Sequence, residues 1–215
     1  MIADALHSGV DQLESAWLEM AKRWHANRLA REPGYVFTVH YAAQHAEYWQ
    51  ECLGHLRDEP NVRFLEVGSV DGGSAIWFLE NILTHPSATI TCIDPFLRAG
   101  SEARFDHNVR IAAGGSKLTK VKGRSESVMP TLQEQAYDVI YIDGNHSSVN
   151  VMMDAVAGWR LLKDGGIMIF DDYRWRPDLP QTLRPQQAVD LFLSAMNASL
   201  TVLHKDYQVI VRKIA

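Results

Sequence analysis

Only two of the 215 residues are cysteine, Cys52 and Cys92, and neither sits at a metal-site spacing. That scarcity excludes a disulfide-stapled scaffold and a thiolate zinc site, and it points to a reduced, cytoplasmic setting. Basic charge is also short: Lys and Arg number 21 against 26 Asp and Glu, for a net charge of −5, and the cations are scattered. A chain with no basic stripe has nothing to follow a phosphate backbone, so nucleic acid is disfavoured as a partner. Long apolar runs are missing too. No stretch approaches the roughly 18 residues of a membrane-spanning helix, and Met1-Ile2-Ala3-Asp4 lacks the charged and apolar regions of a signal peptide. No internal repeat or low-complexity segment occurs. What remains, 47% hydrophobic and 22% charged, is an ordinary globular composition, with length for one α/β domain and an extension.

The pattern changes near residue 60. Residues 1–60 read as helical: Leu6, Val10, Leu13, Trp17, Met20 and Trp24 recur at spacings of four and three, then Arg31-Glu32-Pro33-Gly34 breaks the stripe. A second helix is expected from about Ala42 to Arg57, before Pro60. This extension suits a lid, a substrate-binding element, a dimer interface in a homo-oligomer, or a cap on a sheet edge. Residues 61–215 alternate strand and helix, the pattern of a doubly wound, mostly parallel α/β sheet. Strands are expected near 62–67, 88–93, 118–121, 137–142 and 167–170, then 200–204 and 208–213. Helices are expected near 101–112, 126–135, 147–162 and 186–197. Lys163-Asp164-Gly165-Gly166 reads as a helix stop.

The first strand–turn–helix carries the chemistry. Phe64-Leu65-Glu66-Val67 ends in Gly68-Ser69-Val70-Asp71-Gly72-Gly73-Ser74, and the second apolar run ends at Asp94. In an open parallel sheet, ligands bind outside the C-terminal strand ends. Glycines let backbone approach a ligand, and a carboxylate at the end of strand 2 suits a ribose diol. A dinucleotide fits poorly: the central glycine of G-x-G-x-x-G is missing, and Asp71 would set negative charge beside a pyrophosphate. Glu66 better suits a cationic amino-acid head group. On these residues the chain resembles the class I S-adenosylmethionine-dependent methyltransferases. The resemblance implies that the terminal hairpin sets the last of seven strands antiparallel.

A second constellation follows strands 4 and 5. The first runs into Asp143-Gly144-Asn145-His146 and the second into Asp171-Asp172-Tyr173, on the same sheet edge as Glu66 and Asp94. Three converging carboxylates repel one another, and a hard divalent cation such as Mg²⁺ is the simplest neutraliser. The stretch resembles the metal-dependent small-molecule O-methyltransferases of the catechol, caffeoyl-CoA and macrolide-sugar types. That resemblance implies Asp143, Asp171 and Asp172 as metal ligands, and His146 as catalytic base beside Asp143. It also implies cofactor contacts from Glu66, Gly68, Gly72, Ser74, Asp94, Ser125, Glu126 and Asp143. Plainer readings exist: a strand-end acid for Asp143, a solvated pair for Asp171-Asp172, and a helix cap for His146. Trp77 and Trp159 read as core, whereas Tyr173-Arg174-Trp175-Arg176, in an irregular segment, read as specificity residues.

The expected activity is therefore metal-assisted O-methylation of a small hydroxylated acceptor by S-adenosylmethionine. The cation would lower the hydroxyl pKa, and His146 would take its proton near neutral pH. The alternatives are a metal-independent N- or carboxyl-methyltransferase, a nicotinamide oxidoreductase and a non-catalytic cofactor-binding module. The oxidoreductase is disfavoured by the glycine spacing and by the lack of a Tyr-x-x-x-Lys pair.

Overall fold

The computed structural model describes residues 34–38 and 42–214, with side chains in the first helix from residue 44 onward. The expected stripe from Leu6 to Trp24 lies outside the described residues. Seven strands form one sheet in the order β3-β2-β1-β4-β5-β7-β6. They are β1 (Arg63–Val67), β2 (Thr89–Asp94), β3 (Leu118–Lys122), β4 (Tyr137–Ile142), β5 (Leu162–Phe170), β6 (Leu200–Lys205) and β7 (Val209–Lys213). The first five pair in parallel, and β7 runs antiparallel between β5 and β6. The helices are α1 (Ala42–Leu53), α2 (Gly73–Asn81), α3 (Ser101–Ile111), α4 (Ser125–Val128), α5 (Ser148–Leu161) and α6 (Pro185–Ala195).

Strands sheathed on both faces need apolar residues at every position, which is why β1, β2 and β4 read as nearly unbroken apolar runs. Alternate residues feed two cores. Phe64, Ile90, Val139, Tyr141 and Ile169 pack on one face with Trp77 and Phe78. Leu65, Ile93, Ile140, Ile142 and Phe170 pack on the other with Val151 and Phe192. Because strand order reverses between β1 and β4, the crevice beyond their C-terminal ends opens there.

Two elements depart from the sequence expectation. The helix expected over 126–135 is shorter: α4 gives way to a 3₁₀ turn at Met129–Thr131, where Pro130 cannot donate a helical hydrogen bond. Strand β5 begins at Leu162, paired with Tyr137, and the ladder resumes at Ile167 after a register shift. Lys163–Gly166, expected as a simple helix stop, are an irregular stretch within that strand, with Gly165 at φ +80°. Helix α1, which falls within the extension expected over 1–60, packs on the sheet. Trp49 and Leu53 are fully buried in the first core, and Trp49 Nε1 donates to Gln208 Oε1 at 2.7 Å.

Candidate active site

The turn after β1 is built on close approach. Gly68 has φ +92°, and a Cβ there would stand 2.0 Å from the Asp143 carbonyl oxygen. Only glycine lets the ends of β1 and β4 meet this tightly. Gly72, at φ +86°, caps α2, and its N–H donates to the Ser69 carbonyl at 2.7 Å. Val70 is also left-handed, at φ +46°. The turn is pinned to β2 by Asp94, whose Oδ2 accepts from the Val70 N–H at 2.9 Å and whose Oδ1 accepts from the Phe96 N–H at 2.5 Å.

Glu66 lies fully buried beneath this turn. The Ser74 hydroxyl donates to Glu66 Oε1 at 2.5 Å, while Oε2 has no partner among the described residues. Burial raises its pKa, and the side chains of Ser69, Ser74 and Cys92 oppose that shift. A buried carboxylate oxygen without a donor invites one from a ligand. Ser125 opens α4 and is partly exposed, and Glu126 follows it in the same helix, exposed.

Asp71 does not aim its charge into the crevice. Its carboxylate is buried, with Oδ1 accepting from Arg104 Nε at 2.9 Å. Oδ2 accepts from the Thr38 N–H at 2.7 Å and from the Thr38 hydroxyl. This pair straps residues 34–38 onto the turn. The strap is held again by Asn108, which accepts from the Val36 N–H at 2.8 Å and donates to the Val36 carbonyl at 2.9 Å. The sequence reading missed the strap because its partners lie 33 and 72 residues away.

Beyond β4 and β5, Asp143, His146 and Asp172 bring one ligand atom each within 4.8 Å of one another, the one such group among the described residues. His146 Nε2 lies 2.9 Å from Asp172 Oδ2 and 3.9 Å from Asp143 Oδ1. Burial works to lower the His146 pKa, but the Asp143 and Asp172 carboxylates beside it outweigh that and lift the group to about 10. Enclosure and the Asp171 charge push Asp143 well above the usual carboxylate range. Asp172 has φ +57°, and its Oδ1 accepts from the Tyr207 hydroxyl at 2.7 Å.

Asp171 does not join that group. Its Oδ2 accepts from the Tyr141 hydroxyl and its Oδ1 from the Asp172 N–H at 2.7 Å. Tyr141 continues through Gln208 to Trp49 of α1, so Asp171 anchors a buried polar chain. In the following segment, only Trp175 meets the cluster, its ring centroid 4.5 Å from that of His146. Tyr173 is buried and its hydroxyl donates to Asp190 at 2.9 Å, while Arg174 and Arg176 pair with Asp206 and Asp178 at the surface. Tyr207 was missed because Lys205-Asp206-Tyr207 reads only as a hairpin turn. No helix among the described residues is long and apolar enough to cross a membrane.

Residues 65–173 match a family described as a methyltransferase domain. A protein of Acanthamoeba polyphaga mimivirus, uncharacterised, is 28% identical over 60% of this chain and 61% of its own. A Mycobacterium avium protein carrying a provisional O-methyltransferase name is 29% identical over 48% of this chain and 45% of its own. The chain thus spans about half the length of the curated relatives it matches. Among solved structures, the O-methyltransferase TomG from Streptomyces achromogenes, in complex with SAM, superposes with a TM-score of 0.64 at 16% identity, over 82% of each chain. Cofactor-bound Rv0187 from MTB gives 0.65 at 16% identity, over 93% of this chain and 95% of its own.

Proposed function

Because the chain belongs to the methyltransferase-domain family, we propose that it transfers the sulfonium methyl group of S-adenosylmethionine to an oxygen of a small hydroxylated molecule. One observation carries the cofactor assignment. Glu66 Oε2 is buried and unpartnered beneath a glycine turn, at the sheet edge where Asp94 ends β2. An ammonium group would satisfy the first carboxylate, and a ribose diol suits the spare lone pairs of the second. Ser74, already donating to Glu66, stands where the methionine carboxylate is expected. TomG, a neighbour in fold, is an O-methyltransferase with SAM bound, which agrees with this reading.

A divalent cation fits the second constellation. Asp143 and Asp172 would hold it, with His146 Nε2 in reach as a third donor. Two carboxylates and an imidazole accept Mg²⁺ but suit a softer ion such as Mn²⁺ at least as well. Bound there, the cation would lower the pKa of an acceptor hydroxyl and fix its direction. Asp171, expected as a ligand, already accepts one hydrogen bond at each oxygen, from Tyr141 and the Asp172 N–H, and keeps one lone pair on each. His146 Nε2 holds a proton between the two aspartates, and in that state it neutralises them and donates. It serves as a base only when those carboxylates are engaged elsewhere. Trp175 flanks the imidazole and would bound the acceptor.

The same protonated histidine favours a second reading, in which His146 replaces the metal and transfer is metal-independent. Turnover of labelled S-adenosylmethionine with a panel of vicinal-diol and phenolic acceptors separates the two. Chelation should abolish turnover while cofactor binding persists. Turnover indifferent to chelator would put the metal-independent reading in its place.

A further inference from the structure

The turn between β6 and β7 grips the acidic cluster from one side, and the functions above leave that grip without a role. Lys205 pairs with Val209, so Asp206, Tyr207 and Gln208 make the turn, closed by the Asp206 N–H donating to the Gln208 carbonyl at 2.8 Å. It ties down three consecutive residues beyond β5. The Tyr207 hydroxyl donates to Asp172 Oδ1 at 2.7 Å, the Tyr207 carbonyl accepts from the Tyr173 N–H at 2.8 Å, and Asp206 pairs with Arg174 at 2.5 Å. The turn is backed from inside as well. Gln208 is buried and bonds to Trp49 and Tyr141. The buried His45 ring of α1 lies nearly parallel to the Tyr207 ring, with 5.9 Å between centroids and 15° between planes. The Tyr207 hydroxyl is thereby held at one place on the sheet edge.

Asp172 needs such an outside hold. Its backbone is left-handed, at φ +57°, a conformation that a non-glycine residue keeps where its surroundings impose it. A carboxylate whose two oxygens have different partners is fixed in direction. Oδ1 is taken by Tyr207, which leaves Oδ2 facing His146 Nε2 at 2.9 Å. Without the hydroxyl, other staggered rotamers would compete and swing the carboxylate off the cluster. We propose that Tyr207 is a positioning residue for the cation: its hydroxyl fixes Asp172 so that Oδ2 is presented to the cluster formed with Asp143 and His146. The inference rests on the cation reading above. Carboxylate ligands hold a metal well only when outer hydrogen bonds orient them, and Tyr207 supplies that bond here.

The test is binding of Mn²⁺, read by electron paramagnetic resonance of the free ion, to the chelator-stripped full chain and to its Tyr207→Phe variant. That substitution keeps the ring on His45 and the backbone bond to Tyr173, and deletes only the hydroxyl. Without cation, Tyr207→Phe should melt with the wild-type chain. It should bind Mn²⁺ at least about tenfold more weakly, the scale of losing an outer partner of a metal ligand. A smaller loss overturns the proposal. So does a variant that melts clearly lower, since Tyr207 would then support the fold rather than the site. Wild-type chain that takes up no Mn²⁺ instead brings down the cation reading itself, and the proposal with it.

Discussion

Glu66 shows how one residue can trade stability for binding. Its folded pKa is raised by burial, so from the ordinary carboxylate range upward the native state holds a proton that the unfolded state releases. Stability of the ligand-free protein should therefore fall as pH rises through that window. Glu66→Gln should remove this slope, melt higher at neutral pH and bind S-adenosylmethionine far more weakly. Thermal melts from pH 4.5 to 8 check it, and parallel slopes for the two proteins would contradict it. His146 has the same sign in a higher window. Its pKa, lifted to about 10, gives stability that is whole below about 6.5 and is lost as pH climbs through 10. Chelator-treated protein should show a doubly protonated His146 imidazole by NMR at pH 8, and a neutral tautomer there would refute the account. Asp94→Ala should weaken S-adenosylmethionine binding by about 2 kcal/mol, partly by freeing the Val70 N–H that holds the glycine turn. Unchanged affinity by calorimetry would sink the ribose assignment.

At this scale the sequence announces Glu66, Gly68 and Asp94, because a strand-end acid beside a glycine turn has few other uses. It does not separate Asp171 from Asp172. That choice depends on a left-handed backbone at Asp172 and on the Tyr141 hydroxyl claiming Asp171, and neither is written locally.

Elements are where local pattern and long-range packing part company. The strands were legible because parallel, doubly covered strands must be apolar and must end in turn residues. The role of α1 was not, since Trp49 finds Gln208 159 residues later. Truncating that side chain opens a cavity among Trp77, Phe78 and Tyr141 and strands a buried amide. Trp49→Ala should cost about 3–5 kcal/mol, read by urea unfolding, and a loss under about 1 kcal/mol would show α1 to be a detachable cap. The strap makes a separate prediction. Asp71→Asn removes the Arg104 ion pair and weakens the hold on Thr38, so hydrogen exchange at the Val36 and Thr38 amides should accelerate while the β1 and β4 amides keep their protection. Uniform acceleration would mean that Asp71 supports the whole turn.

Across the molecule, one strand reversal gathers every candidate side chain at one edge. β1 brings Glu66, β2 brings Asp94, β4 brings Asp143, and β5 runs into Asp172. This convergence was legible in advance because right-handed crossovers leave a parallel sheet few topologies. Trp175 was legible as a loop residue beyond β5, whereas Tyr207 was not, because it reaches the edge from a hairpin turn. The central claim is that this edge holds S-adenosylmethionine rather than a dinucleotide. Calorimetric titration of the intact chain with S-adenosylmethionine and with NAD, each with and without Mg²⁺, tests it most directly. The account predicts saturable S-adenosylmethionine binding that persists without the cation, and no binding of NAD. Binding of NAD, or no heat from S-adenosylmethionine in a folded chain, would contradict it.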